Sequence, residues 1–173
     1  IALAYMWYNY IRFDNPLEFG HNYLAEFAEE GSEQFGLKYV FEHLRNLFFR
    51  GISFAADGTL EYTHFNGFLF YINNPIFILW FVYLINDLRK RTMNKNKLLL
   101  TAGLVFNLLA LTMHKTFGGW QFGARYTLDL IPYALTYIAL CRPVQITRYQ
   151  LIACAWGLLF NMYGFAAFLS QPY

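Results

Sequence analysis

The sequence predicts an all-α protein: a polytopic bundle of transmembrane helices with an amphipathic helix in a loop outside the membrane. Two observations lead to this prediction. The chain is 57% hydrophobic and only 14% charged, whereas an average soluble domain carries about 25% charged residues. Its apolar residues also form four long blocks, and burying all four in a soluble core would need far more chain around them than is present.

The apolar blocks define the predicted spans, because a helix that crosses a bilayer needs roughly 17–25 apolar residues. Two blocks reach this length, and the other two reach it with their flanking residues. An earlier segment, IALAYMWYNYI at 1–11, is apolar but too short to span. We interpret it as the exit half of a helix, in a chain that is the C-terminal part of a larger protein. The prediction is one membrane domain, 1–173, in the lipid bilayer, with spans at 67–86, 98–113, 126–141 and 151–169.

The basic residues predict which loops face the cytoplasm. Loops 87–97 and 142–150 contain seven Lys and Arg in 20 positions, whereas loops 12–66 and 115–125 contain six in 66. Basic residues favour the cytoplasmic side, so loop 12–66 and turn 115–125 are predicted to be extracytoplasmic. The localisation that follows is an integral protein of a bacterial plasma membrane. Loop 12–66 is also acidic, which is typical of a solvated loop.

Loop 12–66 has three local signals. Residues 37–50 have helical apolar spacing and predict an amphipathic helix, either in the membrane interface or packed on the protein's own outer surface. Asn15-Pro16-Leu17-Glu18 has the composition of a helix start; alternatively, Asp14 or Glu18 belongs to a site at the lipid surface. Residues 56–58, Ala-Asp-Gly, predict a turn within a short hairpin.

Asn73-Asn74-Pro75 interrupts the first long apolar block. Proline disfavours a helical residue before it, so the block is either one kinked helix or a re-entrant piece, 67–73, followed by a helix from residue 75. Broken backbone at membrane depth persists only where protein or a water-filled cavity covers it. The interruption therefore suggests a cavity on the outer side.

The stretch GGWQFGARYTLDLIP, residues 118–132, carries the strongest candidate for a binding site. Arg125 and Asp129 have the i, i+4 spacing that places two side chains on one face of an α-helix. The simpler interpretation is a local ion pair, with Arg125 extending to the headgroups. Alternatively, three nearby glycines and a helix N-terminus favour an anion, which guanidinium binds through two hydrogen bonds. The candidate substrate-binding residues are then Arg125, Asp129, Lys115, Trp120 and Gln121.

Other kinds of site are not expected. The four histidines and two cysteines have no metal-ligand spacing, so we predict neither a metal nor a cofactor. A net charge of +2 gives no reason to expect a nucleic-acid partner.

RFDNPLEFGHNY after a helix, and GGWQFGARYTLDLIPY much later at the start of another, resemble the GT-C superfamily of membrane glycosyltransferases. The pattern is similar to that of the protein mannosyltransferases and the aminoarabinose transferase, and it covers most of the chain. The resemblance implies transfer of a sugar from a polyprenyl-phosphate donor to an extracytoplasmic acceptor. Gly123-Ala124-Arg125-Tyr126 is similar to the family's glycine-x-Arg-Tyr element, which implies that Arg125 contacts the donor phosphate.

One departure from the family concerns the catalytic carboxylate, which lies in the family's first outer loop. That region is not part of this chain, so the catalytic residue is unknown and the chain alone is expected to be inactive. Two alternatives remain open: a transporter or lipid flippase that uses Arg125 and Asp129 as a half-buried site, and a non-catalytic membrane scaffold.

Overall fold

A computed structural model describes residues 2–18, 20, 23, 35–58, 60–61, 68–118, 121–141 and 146–169. The described chain is mostly helical, which confirms the all-α prediction. It forms two compact units, Ile1–Gly36 and Leu37–Tyr173. The α-helices are α1 (Ala2–Phe13), α2 (Val40–Phe49), α3 (Phe70–Asn73), α4 (Ile76–Lys90), α5 (Lys95–Thr112), α6 (Ile131–Leu140) and α7 (Arg148–Leu169).

The first unit contains α1 and the turn that follows it. Asp14 ends the helix with a left-handed φ of 54°. The Asn15 side chain then accepts a hydrogen bond from the Leu17 N–H at 2.9 Å, which closes a turn. The predicted helix start at Asn15 was therefore wrong for residues 15–18: the amide stabilises a turn, as asparagine does when it bonds its own backbone two residues on.

The core of the second unit is where α6 packs against both α4 and α5. Leu130, Ala134 and Tyr137 lie about one turn apart and are fully buried there. This spacing is the i, i+4, i+7 pattern of a helix face that turns inward. Phe77 of α4 and Leu104 of α5 complete the contact.

Two of the four predicted spans are not single continuous α-helices. The first block is divided at Asn74 into α3 and α4, and the third begins with a 3-10 segment, Arg125–Leu130. Within the described residues, one helix is long and apolar enough to cross a membrane, at Arg148–Ala167.

The break at Asn74 is where α7 docks. The Asn161 side chain of α7 donates a hydrogen bond to the Asn73 carbonyl at 2.9 Å. A methyl group at Gly157 would lie 3.2 Å from the Pro75 ring, so the small residue lets the two helices approach closely. An open groove of about 500 Å³ lies beside the break. The structure therefore has two helices at this interruption and a groove next to it, and the placement of that groove on the outer side stays a prediction.

The predicted amphipathic helix is present as a 3-10 turn, Leu37–Tyr39, and α2. It packs on the protein: His43 and Leu47 are buried, and His43 Nδ1 donates to the Thr112 carbonyl at 2.9 Å. The predicted hairpin is confirmed, with β1 (Ser53–Phe54) antiparallel to β2 (Leu60–Glu61). Exposed apolar side chains nevertheless remain on α2, among them Phe41 and Phe49.

Candidate functional site

Gln121 fixes the loop that presents Arg125. Its Nε2 donates to the Phe117 carbonyl at 2.6 Å, and its Oε1 accepts from the Arg125 N–H at 2.7 Å. The side chain is buried, at 6% exposure. Gln121 therefore positions the backbone at Arg125, and its predicted contact with a substrate stays a prediction.

The glycines of this loop let the backbone approach the protein's own side chains. Gly118 has φ of 110° and Gly123 has φ of 83°. A methyl group would lie 2.6 Å from the Gln121 amide at the first position and 1.6 Å from the Asn73 amide at the second. The space beside these glycines, which the sequence analysis assigned to a ligand, is therefore occupied by the protein itself. Gln121 fills it at Gly118, and Asn73 fills it at Gly123.

Arg125 and Asp129 are both exposed, and within the described residues they form no ion pair. The i, i+4 argument was wrong here because Arg125–Leu130 is a 3-10 helix. With three residues per turn, residues i and i+3 align, so residue i+4 is rotated by about 120° from residue i. The Arg125 guanidinium lies 5.7 Å from the centre of the Tyr126 ring.

The structure says less about the other two candidate residues, Lys115 and Trp120. Lys115 is half-buried in the turn after α5. Trp120 lies outside the described residues. The structure therefore brings Gln121 and Arg125 into direct contact, and leaves Asp129 one turn further along on a different face.

Sequence reasoning missed a buried polar cluster where α4, α5 and α6 meet. Lys97 Nζ lies 2.8 Å from Asp87 Oδ2, with both side chains about one-tenth exposed. Tyr137 Oη also donates to Asp87 Oδ2, at 2.8 Å, and Thr92 Oγ1 donates to Asp87 Oδ1 at 2.5 Å. The signal was available: Asp87 is the only acid in loop 87–97, where the short connection returns the chain beside its own starting point.

The cluster holds the Asp87 carboxyl in its charged form. Burial by itself raises the pKa of Asp87, but hydrogen bonds from Lys97, Thr92 and Tyr137 outweigh it and lower the pKa to about 2. The hydrogen bond to Asp87 raises the pKa of Lys97. A charged group supplied with this many donors is a stabilising junction between helices.

The lowered pKa predicts how this junction responds to acid. A depressed carboxyl pKa stabilises the fold above the ordinary pKa of 3.8, and the contribution is lost as the pH falls through about 2. The stability difference between the wild type and Asp87→Asn should therefore be constant in mildly acidic solution and shrink only below pH 3.8. Chemical unfolding followed by circular dichroism in detergent measures it.

Asp129→Asn, at an exposed acid, is the control for removing one carboxylate. A difference between wild type and Asp87→Asn that disappears well above pH 3.8 would contradict a lowered pKa.

Comparison of the chain with models of known protein families, with curated proteins and with solved structures gave no match. The candidate function therefore rests on the residues and their geometry.

Proposed function

We propose that this chain is the C-terminal membrane part of a GT-C-like glycosyltransferase, which transfers a sugar from a polyprenyl-phosphate donor to an extracytoplasmic acceptor. The observation that carries the proposal is Arg125, exposed and without an acidic partner in the described part of the chain, with its backbone fixed by Gln121. Guanidinium matches a phosphate through two parallel hydrogen bonds.

A polytopic membrane placement is part of this proposal. In α7, almost none of the apolar window is buried, whereas the core helix of a soluble protein would be. Trp156, Leu158 and Phe165 are each at least half exposed. Soluble monomers rarely expose apolar patches beyond a few hundred Å², so a lipid surround accounts for this face. The apolar blocks 67–86, 98–113 and 126–141 would supply the remaining spans.

Arg125 would act on the leaving group. When the sugar leaves the lipid phosphate, negative charge develops on the phosphate oxygens, and a fixed cation stabilises that charge. The Gln121–Arg125 hydrogen bond fixes the backbone from which the exposed Arg125 side chain extends. The carboxylate that activates the acceptor hydroxyl would come from outside this chain.

Arg125→Lys tests the proposal in the intact protein. Lysine keeps the charge but loses the two-pronged geometry, so we expect the rate of sugar transfer to fall by roughly 10²–10³-fold. Thermal unfolding should stay at the wild-type value, because the Arg125 contact to Gln121 is made by the backbone. Transfer is measured with a radiolabelled polyprenyl-phosphate sugar.

Arg89→Lys is the matched control, because Arg89 is also an exposed arginine but lies near the C-terminal end of α4. This substitution should leave the rate of sugar transfer unchanged. Full activity of Arg125→Lys would refute the phosphate contact. Transport of the intact lipid without sugar transfer, lost in the same variant, would favour the flippase alternative.

A further inference from the structure

A second cationic site lies at the C-terminal end of α2. Arg45, Asn46, Phe49 and Arg50 line a cavity of about 310 Å³. Arg45 and Arg50 are both exposed, and neither forms an ion pair within the described residues, although Glu42 lies three positions before Arg45. Two guanidinium groups on one small cavity favour an anion with several oxygen atoms.

An apolar groove adjoins this cavity. It has a volume of about 430 Å³ and lies between α4 and α5, with Phe49 as a wall shared with the cationic cavity. Phe70, Trp80 and Leu104 line it further in. This volume falls within the range of about 300–1,000 Å³ that is typical of ligand pockets.

The aromatic contacts hold the groove and the cationic cavity together. Tyr71 Oη donates to the Phe48 carbonyl at 3.0 Å, which joins the last turn of α2 to α3. The Phe48 ring also meets the Phe70 ring edge-on, with centres 5.3 Å apart. The end of α2 is therefore anchored, while Phe49 beside it is 82% exposed.

From this arrangement, we infer that the end of α2 binds an anionic phospholipid, with the headgroup phosphate between Arg45 and Arg50 and one acyl chain in the groove between α4 and α5. The charge complementarity selects an anionic lipid over a neutral one. The inference rests on the membrane placement proposed above, but not on sugar transfer or on Arg125. Its site is lined by α2, α3, α4 and α5 and by none of the candidate donor-phosphate residues.

Quenching of Trp80 tests the site in delipidated protein. Phosphatidylglycerol with brominated acyl chains quenches tryptophans that it touches, and brominated phosphatidylcholine has the same chains with a neutral headgroup. Lipid binding in the groove is measured as the part of the fluorescence quenching that is present in the wild type and absent from Trp80→Phe. Each basic residue near a membrane surface strengthens binding of an anionic lipid about fivefold. With two arginines, we expect phosphatidylglycerol to bind roughly 25-fold more tightly than phosphatidylcholine.

Arg45→Ala with Arg50→Ala should abolish this preference and leave phosphatidylcholine binding unchanged. Arg89→Ala with Lys90→Ala removes two exposed charges at the other end of α4 and should keep the preference. Val105→Phe should weaken binding of both lipids by filling the groove, whose lining includes Val105. Equal binding of the two lipids by the wild type, or loss of the preference in the Arg89 and Lys90 control, would overturn the inference.

Quenching of Trp156 distinguishes failure of the lipid site from failure of the proposed membrane placement. Trp156 is half exposed on the apolar helix α7 and does not line the groove. Quenching of Trp156 without a headgroup preference at Trp80 would overturn only the lipid site. Absence of quenching at both tryptophans would overturn the membrane placement as well.

Discussion

Asp87→Ala should cost about 3–5 kcal/mol of unfolding free energy, because removing one partner of a buried ion pair leaves the other charge uncompensated. Lys97 is 6% exposed, and without Asp87 its charged form would lose the hydrogen bond that favours it while burial still disfavours it. Tyr137 and Thr92 would lose their acceptor at the same time. Denaturant unfolding in detergent, followed by far-ultraviolet circular dichroism, measures the loss.

Two comparisons separate the pair from a general charge effect. Asp129→Ala removes an exposed acid that has no ion pair within the described residues, and should change stability by about 0.5 kcal/mol or less. Adding Lys97→Met to Asp87→Ala should recover part of the loss, since no charge is then left buried. If Asp87→Ala is as stable as Asp129→Ala, the cluster is not a junction of the fold.

The sequence was most informative where a local pattern of residues decides the secondary structure. The apolar spacing of residues 37–50 predicted α2, and the Ala-Asp-Gly turn predicted the hairpin. Both signals are local, because helix periodicity and turn chemistry depend on neighbouring residues. They are therefore readable without knowing the tertiary structure.

The contacts of the candidate site were not readable in this way. The i, i+4 spacing of Arg125 and Asp129 presupposed an α-helix, but the chain forms a 3-10 helix there. The buried pair of Asp87 and Lys97 depends on how α4, α5 and α6 converge. Charge counts alone assigned both residues to a loop that faces the cytoplasm, because counting charges does not show which side chains turn inward.

Gly123→Ala should have the second large effect, about 2–5 kcal/mol of unfolding free energy. Left-handed backbone costs an alanine about 1–2 kcal/mol, and Gly123 has φ of 83°. The new methyl group would also lie 1.6 Å from the Asn73 amide, which is buried and donates to the Phe122 carbonyl at 3.1 Å. Displacing that amide leaves a buried polar group unsatisfied, at about 1–3 kcal/mol.

Substitutions at two other glycines separate the cost of the left-handed backbone from the cost of displacing the Asn73 amide. Gly58 has nearly the same φ, 82°, with nothing within 4 Å of an added methyl group, so Gly58→Ala should show the backbone cost alone. Gly51 also has nothing within 4 Å and no left-handed φ, so Gly51→Ala should be neutral or slightly stabilising. Thermal unfolding of the three variants ranks them. The Asn73 backbone carbonyl accepts from Asn161 of α7, so a shift of Asn73 in Gly123→Ala should loosen α7, which increased proteolysis of that helix would reveal. Equal losses in Gly123→Ala and Gly58→Ala would mean that the amide moves aside freely, and the loop before Arg125 would then not be held by Asn73.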